Sequence, residues 1–176
     1  KDFQMSLLAV EQVLDALDTT ANIKSLPNCV ELKSFQDKIQ FENVDFEYIA
    51  KKPVLKKFNL EIKKGETLAL VGNSGGGKST IASLLPRFYD IKGGAIKIDG
   101  VDIRSYSLKS LRDNMAVVFQ DNFLFSGTIR ENIIIGNKTA TSEELENAVK
   151  MAYLDEFVAT LKKGLDTEIG ERGILL

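Results

Sequence analysis

Gly72-Asn73-Ser74-Gly75-Gly76-Gly77-Lys78-Ser79-Thr80 fits the pattern G-x-x-x-x-G-K-[ST] at Gly72, Gly77, Lys78 and Ser79. Before it, Thr67-Leu68-Ala69-Leu70-Val71 is a short apolar run suited to a buried parallel strand. After it, Ile81-Ala82-Ser83-Leu84-Leu85 can open a helix. A strand, a glycine-rich turn and a helix start build a phosphate cradle. Glycines let backbone N–H groups close around the phosphates, and the helix end adds partial positive charge. The cradle runs over Asn73, Ser74, Gly75, Gly76, Gly77, Lys78, Ser79 and Thr80. Lys78 is placed to reach the β and γ phosphates, and the Ser79 hydroxyl to ligate Mg²⁺. Average residue usage gives such a match by accident in roughly one chain of this length in a hundred or fewer. The motif does not say which nucleotide is bound or what its energy drives.

The length of 176 residues suits one domain with room for a subdomain. A net charge of −2 argues against a general nucleic-acid surface, which would be basic. The single cysteine, Cys29, excludes an internal disulfide framework and fits a reducing compartment. Histidine is absent, so histidine chemistry cannot come from these residues. No apolar run approaches the roughly 18 residues of a membrane span, and no signal peptide is evident. Any work at a membrane needs another segment to hold the protein there.

Phe3, Leu7, Val10, Leu14 and Leu17 recur at helical spacing. Residues 19–38 are polar around Pro27 and read as a linker. From Ile39 the period becomes two. Ile39 and Phe41 alternate, then Val44, Phe46 and Tyr48, with a parity shift at Glu42-Asn43 that predicts a bulge or bend. Phe58, Leu60 and Ile62 form another strand, ended by Lys63-Lys64-Gly65. Ile96 and Ile98 lead to an Asp99-Gly100 turn before Val101 and Ile103. These strands predict a small, mostly antiparallel layer. Ser107 to Arg112 is a short helix candidate, and Met115-Ala116-Val117-Val118-Phe119 a second buried-strand candidate that ends at Gln120. Thr128 to Glu131 and Thr141 to Glu144 are candidate capping boxes. The second precedes an amphipathic helix with Leu145, Ala148, Val149, Ala152 and Tyr153 on its apolar face.

Three further segments lie at informative distances from the phosphate loop: Val44–Tyr48, Val117–Ile133 with Gln120 and Phe123-Leu124-Phe125-Ser126-Gly127-Thr128 inside it, and Thr167-Glu168-Ile169-Gly170-Glu171-Arg172-Gly173. With the phosphate loop they strongly resemble the nucleotide-binding domain of an ABC transporter of the exporter type. The resemblance runs from about Ile39 to the last residue, and is nearest to bacterial flippases of lipid A, other lipids or drugs. It implies an α/β P-loop NTPase core with an antiparallel β-subdomain and part of a helical subdomain. It also implies three stretches: residues 1–24 as a helix leading from the last membrane helix, 25–38 as a linker, and 39–176 as the N-terminal portion of the domain.

Carried over residue by residue, Tyr48 matches the aromatic that stacks on adenine, a role that a flat amphipathic ring suits. Gln120 matches the glutamine that ligates Mg²⁺ and senses the γ-phosphate. Thr167–Gly173 matches the x-loop of exporters. Lys78 and Gln120 are thus the implied catalytic groups, and Ser79 and Gln120 the implied metal ligands. The implied cofactors are ATP and Mg²⁺. The implied partners are a second nucleotide-binding domain, arranged head to tail, and a transmembrane domain touching the Gln120–Phe125 and Thr167–Gly173 loops, with no nucleic acid. The implied place is the cytoplasmic face of the inner membrane, tethered through a transmembrane domain not in this chain. Gly76 stands where the family often has Ser, which implies a more flexible loop.

The family's Leu-Ser-Gly-Gly-Gln signature, the acidic Walker B strand with its glutamate, and the switch histidine do not occur in the sequence. The 176 residues are therefore expected to be part of a longer polypeptide, an ATPase when whole and inactive as this segment alone. A non-hydrolysing nucleotide-binding fragment and a soluble ABC ATPase of the DNA-repair type are the alternatives. The Phe123–Ile133 segment and the x-loop count against the latter.

Overall fold

The computed structural model describes residues 23–120 and 123–170, together with Val10 and Leu14, which are helical. The rest of the predicted opening helix, Asp121-Asn122 and the Glu171–Gly173 end of the predicted x-loop lie outside the described residues. The chain divides into two compact units that meet in sequence at Val117 and Val118.

The first unit is built on a four-stranded antiparallel sheet of order β2-β1-β3-β4. Its strands are β1 (Lys38–Ile49), β2 (Lys52–Lys63), β3 (Gly93–Ile98) and β4 (Val101–Asp102). The predicted parity shift is a β-bulge. Phe41 faces Leu60 and Val44 faces Phe58, so three steps on β1 answer two on β2. Asn43 takes the left-handed conformation, φ 46°, and its N–H donates to Asn59 Oδ1 at 2.9 Å. On the other side Gly94 passes so close that a Cβ there would lie 2.3 Å from the carbonyl oxygens of Glu42 and Asn43. The extra residue keeps Phe41, Val44 and Phe46 all on the buried face.

Helix α1 (Lys78–Leu84) buries Ile81 and Leu84 in the same core as Ile96, Ile98, Ile103 and Leu111. Helix α2 (Leu108–Asp113) begins at Ser107, whose hydroxyl accepts from the Ser110 N–H. The Asp99-Gly100 turn has positive φ at both residues, 52° and 81°, the pattern of a two-residue hairpin turn.

Asp99 does more than turn the chain. Its carboxylate accepts the N–H groups of Gln36, Asp37 and Lys38 at 2.8, 2.7 and 3.0 Å. Partial burial pushes its pKa up, but these three backbone bonds outweigh that and hold the carboxyl below its usual range.

The predicted linker is stitched down along its length. Leu108 N–H donates to Ser25 Oγ at 2.9 Å, and Val30 exchanges backbone bonds with Ser105 and Ser107, both at 2.8 Å. Leu32 is buried, its N–H donating to Ser110 Oγ and its carbonyl accepting from Asn114. Polarity marked these residues as a tether, but their backbone groups are spent on the folded unit.

Two expectations fail. Thr67–Val71, expected as a buried parallel strand, and Met115–Phe119, expected as a buried strand, form no strand among the described residues. Leu68 and Leu70 are exposed and Val71 is 89% exposed. An apolar run becomes a strand only where a neighbouring ladder takes its N–H and C=O groups, and no described strand pairs with either run.

The second unit holds β5 (Gly127–Thr128), α3 (Ile129–Ile134), α4 (Ser142–Met151), α5 (Asp155–Thr160) and β6 (Glu168–Ile169). Both predicted capping boxes form, Thr128 with Glu131 and Thr141 with Glu144. Ile129, Leu145, Val149 and Ile169 are buried. Tyr153, expected on the apolar face of α4, stands past its end with φ 54° and is 89% exposed. Helix α5 and the β5–β6 pairing were not foreseen.

Asp99→Asn keeps the turn but weakens three charge-assisted bonds, with an expected cost of about 1 kcal/mol at a site that faces water. Amide exchange at Gln36, Asp37 and Lys38 should then quicken roughly fivefold at neutral pH. Because the folded pKa is depressed, the native advantage is present above the unfolded value of about 4 and is lost as pH falls through the folded one. Native-state hydrogen exchange at pH 7 and near pH 3 checks both statements.

Candidate functional site

The phosphate loop follows a segment without regular structure and turns three times through glycine. Gly72, Gly75 and Gly77 have φ of 154°, 83° and 83°. The Gly76 N–H closes a turn on Asn73 O at 3.1 Å, and the Ile81 N–H begins the helical ladder on Gly77 O at 3.0 Å. Gly77 is the N-cap of α1 and carries no side chain to satisfy the first amides. An uncapped helix start facing a glycine turn leaves N–H groups for anionic oxygens. Strand β2 backs the loop: a Cβ on Gly77 would stand 3.0 Å from Leu55 Cδ2.

Lys78 folds over the loop. Its ammonium donates to Gly72 O at 2.9 Å and to Asn73 O at 2.7 Å. The charge is therefore already held above the turn where phosphate oxygens would sit. Asn73, Ser74, Gly75 and Gly76 line the exposed rim, and Ser79 is exposed at the first turn of α1. This donor set fits a nucleotide's phosphates, and the Ser79 hydroxyl fits a hard cation beside them.

The structure brings Tyr48 and Thr80 together. Tyr48 Oη donates to Thr80 Oγ1 at 3.1 Å, so this half-exposed tyrosine near the end of β1 is fastened to the helix that carries Lys78 and Ser79. The Thr80 side chain is buried and engaged there. Tyr89 and Phe46 meet the Tyr48 ring at nearly right angles, with centroids 4.9 and 4.8 Å away. These three line a hollow with Glu47, Phe88, Asp90 and Lys92.

The sequence reading missed Tyr89, although the Phe88-Tyr89 pair just after α1 was a visible signal. That turn is clamped by two arginines. Arg87, buried and at φ 52°, makes two bonds to Asp90, at 2.9 and 3.1 Å. Arg112 donates to the carbonyls of Pro86 and Arg87 and covers the Phe88 ring at 5.4 Å.

Gln120 belongs to the second unit and is exposed. In that unit Phe123 and Phe125 pack edge to face at 5.0 Å, and both are more than half exposed. The described part of the predicted x-loop, Thr167–Gly170, contributes β6, which pairs with Gly127-Thr128.

The sequence pattern of the ABC transporter family matches residues 55–169, well over half the chain. The chain belongs to that family, whose members bind ATP. It is 44% identical over 172 residues to a Bacillus subtilis (strain 168) protein named "Putative multidrug export ATP-binding/permease protein YgaD", covering 97% of this chain and 30% of that protein. It is 46% identical over 165 residues to a Staphylococcus aureus (strain NCTC 8325 / PS 47) protein, SAOUHSC_02003, of the same description, covering 93% of this chain and 28% of that protein. A bacterial Atm1-family ABC exporter solved with ATP bound superposes with a TM-score of 0.88 at 39% identity, over 99% of this chain and 31% of that one. The chain thus spans about 30% of the length of such relatives.

Gly77→Ala forces a side chain into the left-handed region and against Leu55. The expected loss is about 1–2 kcal/mol. Gly76→Ala is outside that region, and although its Cβ would stand 3.1 Å from Asn73 O it should cost less. Urea unfolding of the two variants side by side measures the difference.

Proposed function

We propose that this chain is the ATP-binding portion of the motor of an ABC exporter, coupling MgATP binding and hydrolysis to export or flipping of a lipid-like or drug-like substrate. The observation that carries the reading is Lys78. Its ammonium bridges two carbonyls of a glycine loop that opens directly into α1, in a chain of this family.

Nucleotide binding exchanges these two neutral acceptors for phosphate oxygens. That exchange gains charge–charge attraction while the backbone amides of Gly75 to Ser79 add donors. In the transition state Lys78 holds charge that spreads over the γ-phosphoryl oxygens, an interaction stronger there than in the ground state. Ser79 is the Mg²⁺ ligand offered by the first unit, and Gln120 the one offered by the second on the strength of the family resemblance. Mg²⁺ held by such oxygens would supply charge neutralisation on the phosphates. Tyr48 offers its ring to the adenine base, held still by Thr80, Tyr89 and Phe46.

A second copy or a related domain would complete the site head to tail. The Gln120–Phe125 and Thr167–Gly173 loops would meet a transmembrane domain at the cytoplasmic face of the inner membrane. The exposed Phe123 and Phe125 rings support that contact. Hydrolysis requires an activating base beyond the groups named here, so the 176-residue segment alone is expected to bind nucleotide weakly without turnover.

In the exporter polypeptide that carries this chain, Lys78→Ala should lower ATP turnover by about 100-fold or more. Unchanged steady-state hydrolysis would remove the reading. Tyr48→Ala should raise KM for ATP roughly tenfold while leaving kcat within about twofold, since stacking acts on ground and transition states alike. Tyr48→Phe, which keeps the ring and its two aromatic supports, should stay within about threefold in KM. ATP titrations of the hydrolysis rate separate the two variants.

A further inference from the structure

We propose that helix α3 fastens the Phe123–Phe125 turn and the Asp166–Ile169 stretch into one mechanical piece, with Asn132 and Arg130 as positioning residues for coupling to the membrane part. The proposal rests on the exporter-motor reading above and adds to it how the two contacting loops are held together.

Asn132 is committed entirely to backbone. Its Oδ1 accepts the Phe125 N–H at 2.8 Å, and its Nδ2 donates to Phe125 O and Thr128 O, both at 2.9 Å. One side chain thus closes on both polar backbone groups of Phe125 and fixes the turn that presents the Phe123–Phe125 ring pair. Two residues earlier on α3, Arg130 Nε donates to Asp166 Oδ1 at 2.7 Å. The Ile129 N–H donates to Thr167 O at 3.1 Å, and Gly127 and Thr128 pair with Ile169 and Glu168.

A ladder of two residues a side is too short to persist unaided, and an exposed ion pair adds little stability. What this set of contacts does is fix relative position. Two stretches far apart in sequence are pinned to the same six-residue helix, one through Asn132 and one through Arg130. A displacement of either stretch is therefore carried to the other through α3 itself.

The test uses the exporter polypeptide reconstituted in lipid vesicles, with spin labels on the cytoplasmic ends of its membrane helices. Two quantities are read: MgATP hydrolysis, and the shift in label separation on adding MgATP with vanadate. Asn132→Ala and Arg130→Ala should hydrolyse ATP within twofold of the parent while the shifted population falls at least threefold. Asn132→Asp, which keeps the acceptor for Phe125 N–H and loses both donors, should fall between. The exchanged pair Arg130→Asp with Asp166→Arg should recover the shift lost in Arg130→Ala.

A full shift in both alanine variants overturns the proposal, as does a loss of hydrolysis in step with the shift. Arg130 is partly exposed, so its variants keep the test open should Asn132→Ala not fold. A parent protein that hydrolyses ATP with no shift at all would instead overturn the motor reading, and this proposal with it.

Discussion

Burial of Ile81 and Leu84 beneath the antiparallel sheet is the contact on which the nucleotide site depends. Helix α1 has only seven residues, no side-chain cap and no acidic residue in its first turn. A helix that short does not persist by propensity in water. It exists because Leu84 is fully buried among Ile96, Ile98 and Leu111. The β1 bulge at Asn43 keeps the sheet's apolar face in register for that packing. Lys78 and Ser79 are positioned by residues that never approach a phosphate.

The two units use different means to hold loops still. In the first, the turn after α1 is held by guanidinium groups, Arg87 on Asp90 and Arg112 on two carbonyls, and the aromatic cluster around Tyr48 rests on that turn. Asp102 adds a third arginine contact at the sheet edge. Burial raises its pKa, but the bonds from Arg104 outweigh this and hold it low. In the second unit amides and caps carry more of the work: two capping boxes and Asn132 folded back on Phe125, beside the exposed pair of Arg130 with Asp166. Ion pairs between exposed groups are weak, whereas a side-chain amide that satisfies both backbone groups of one residue defines position at little electrostatic cost.

Features governed by neighbours in sequence were legible. The glycine loop, the Asp99-Gly100 turn, the parity shift in β1 and both capping boxes depend on residues within about four positions of one another, and each appears where the sequence placed it. Features that need a distant partner were not. Thr67–Val71 has the composition of a buried strand, but composition cannot supply the adjoining ladder. Residues 25–38 have the polarity of a tether, and no local signal shows that Ser105, Ser110 and Asp99 would consume their hydrogen bonds. Tyr48 is proposed for the site through the family resemblance, while the Tyr89 that packs on its ring lies beyond a helix and a turn. Arg130 and Asp166 are 36 residues apart, and nothing in either neighbourhood announces the other.

The stitched strap has a mechanical consequence. A tether that hung free until β1 would deliver any pull at Lys38, along the axis of a strand in the sheet. Among the described residues, Ser25 and Val30 are already fastened to the turn at Ser105–Leu108. Tension arriving from the N-terminal side is therefore applied at the start of helix α2, and the three amides gripped by Asp99 act as a strain relief that shields β1.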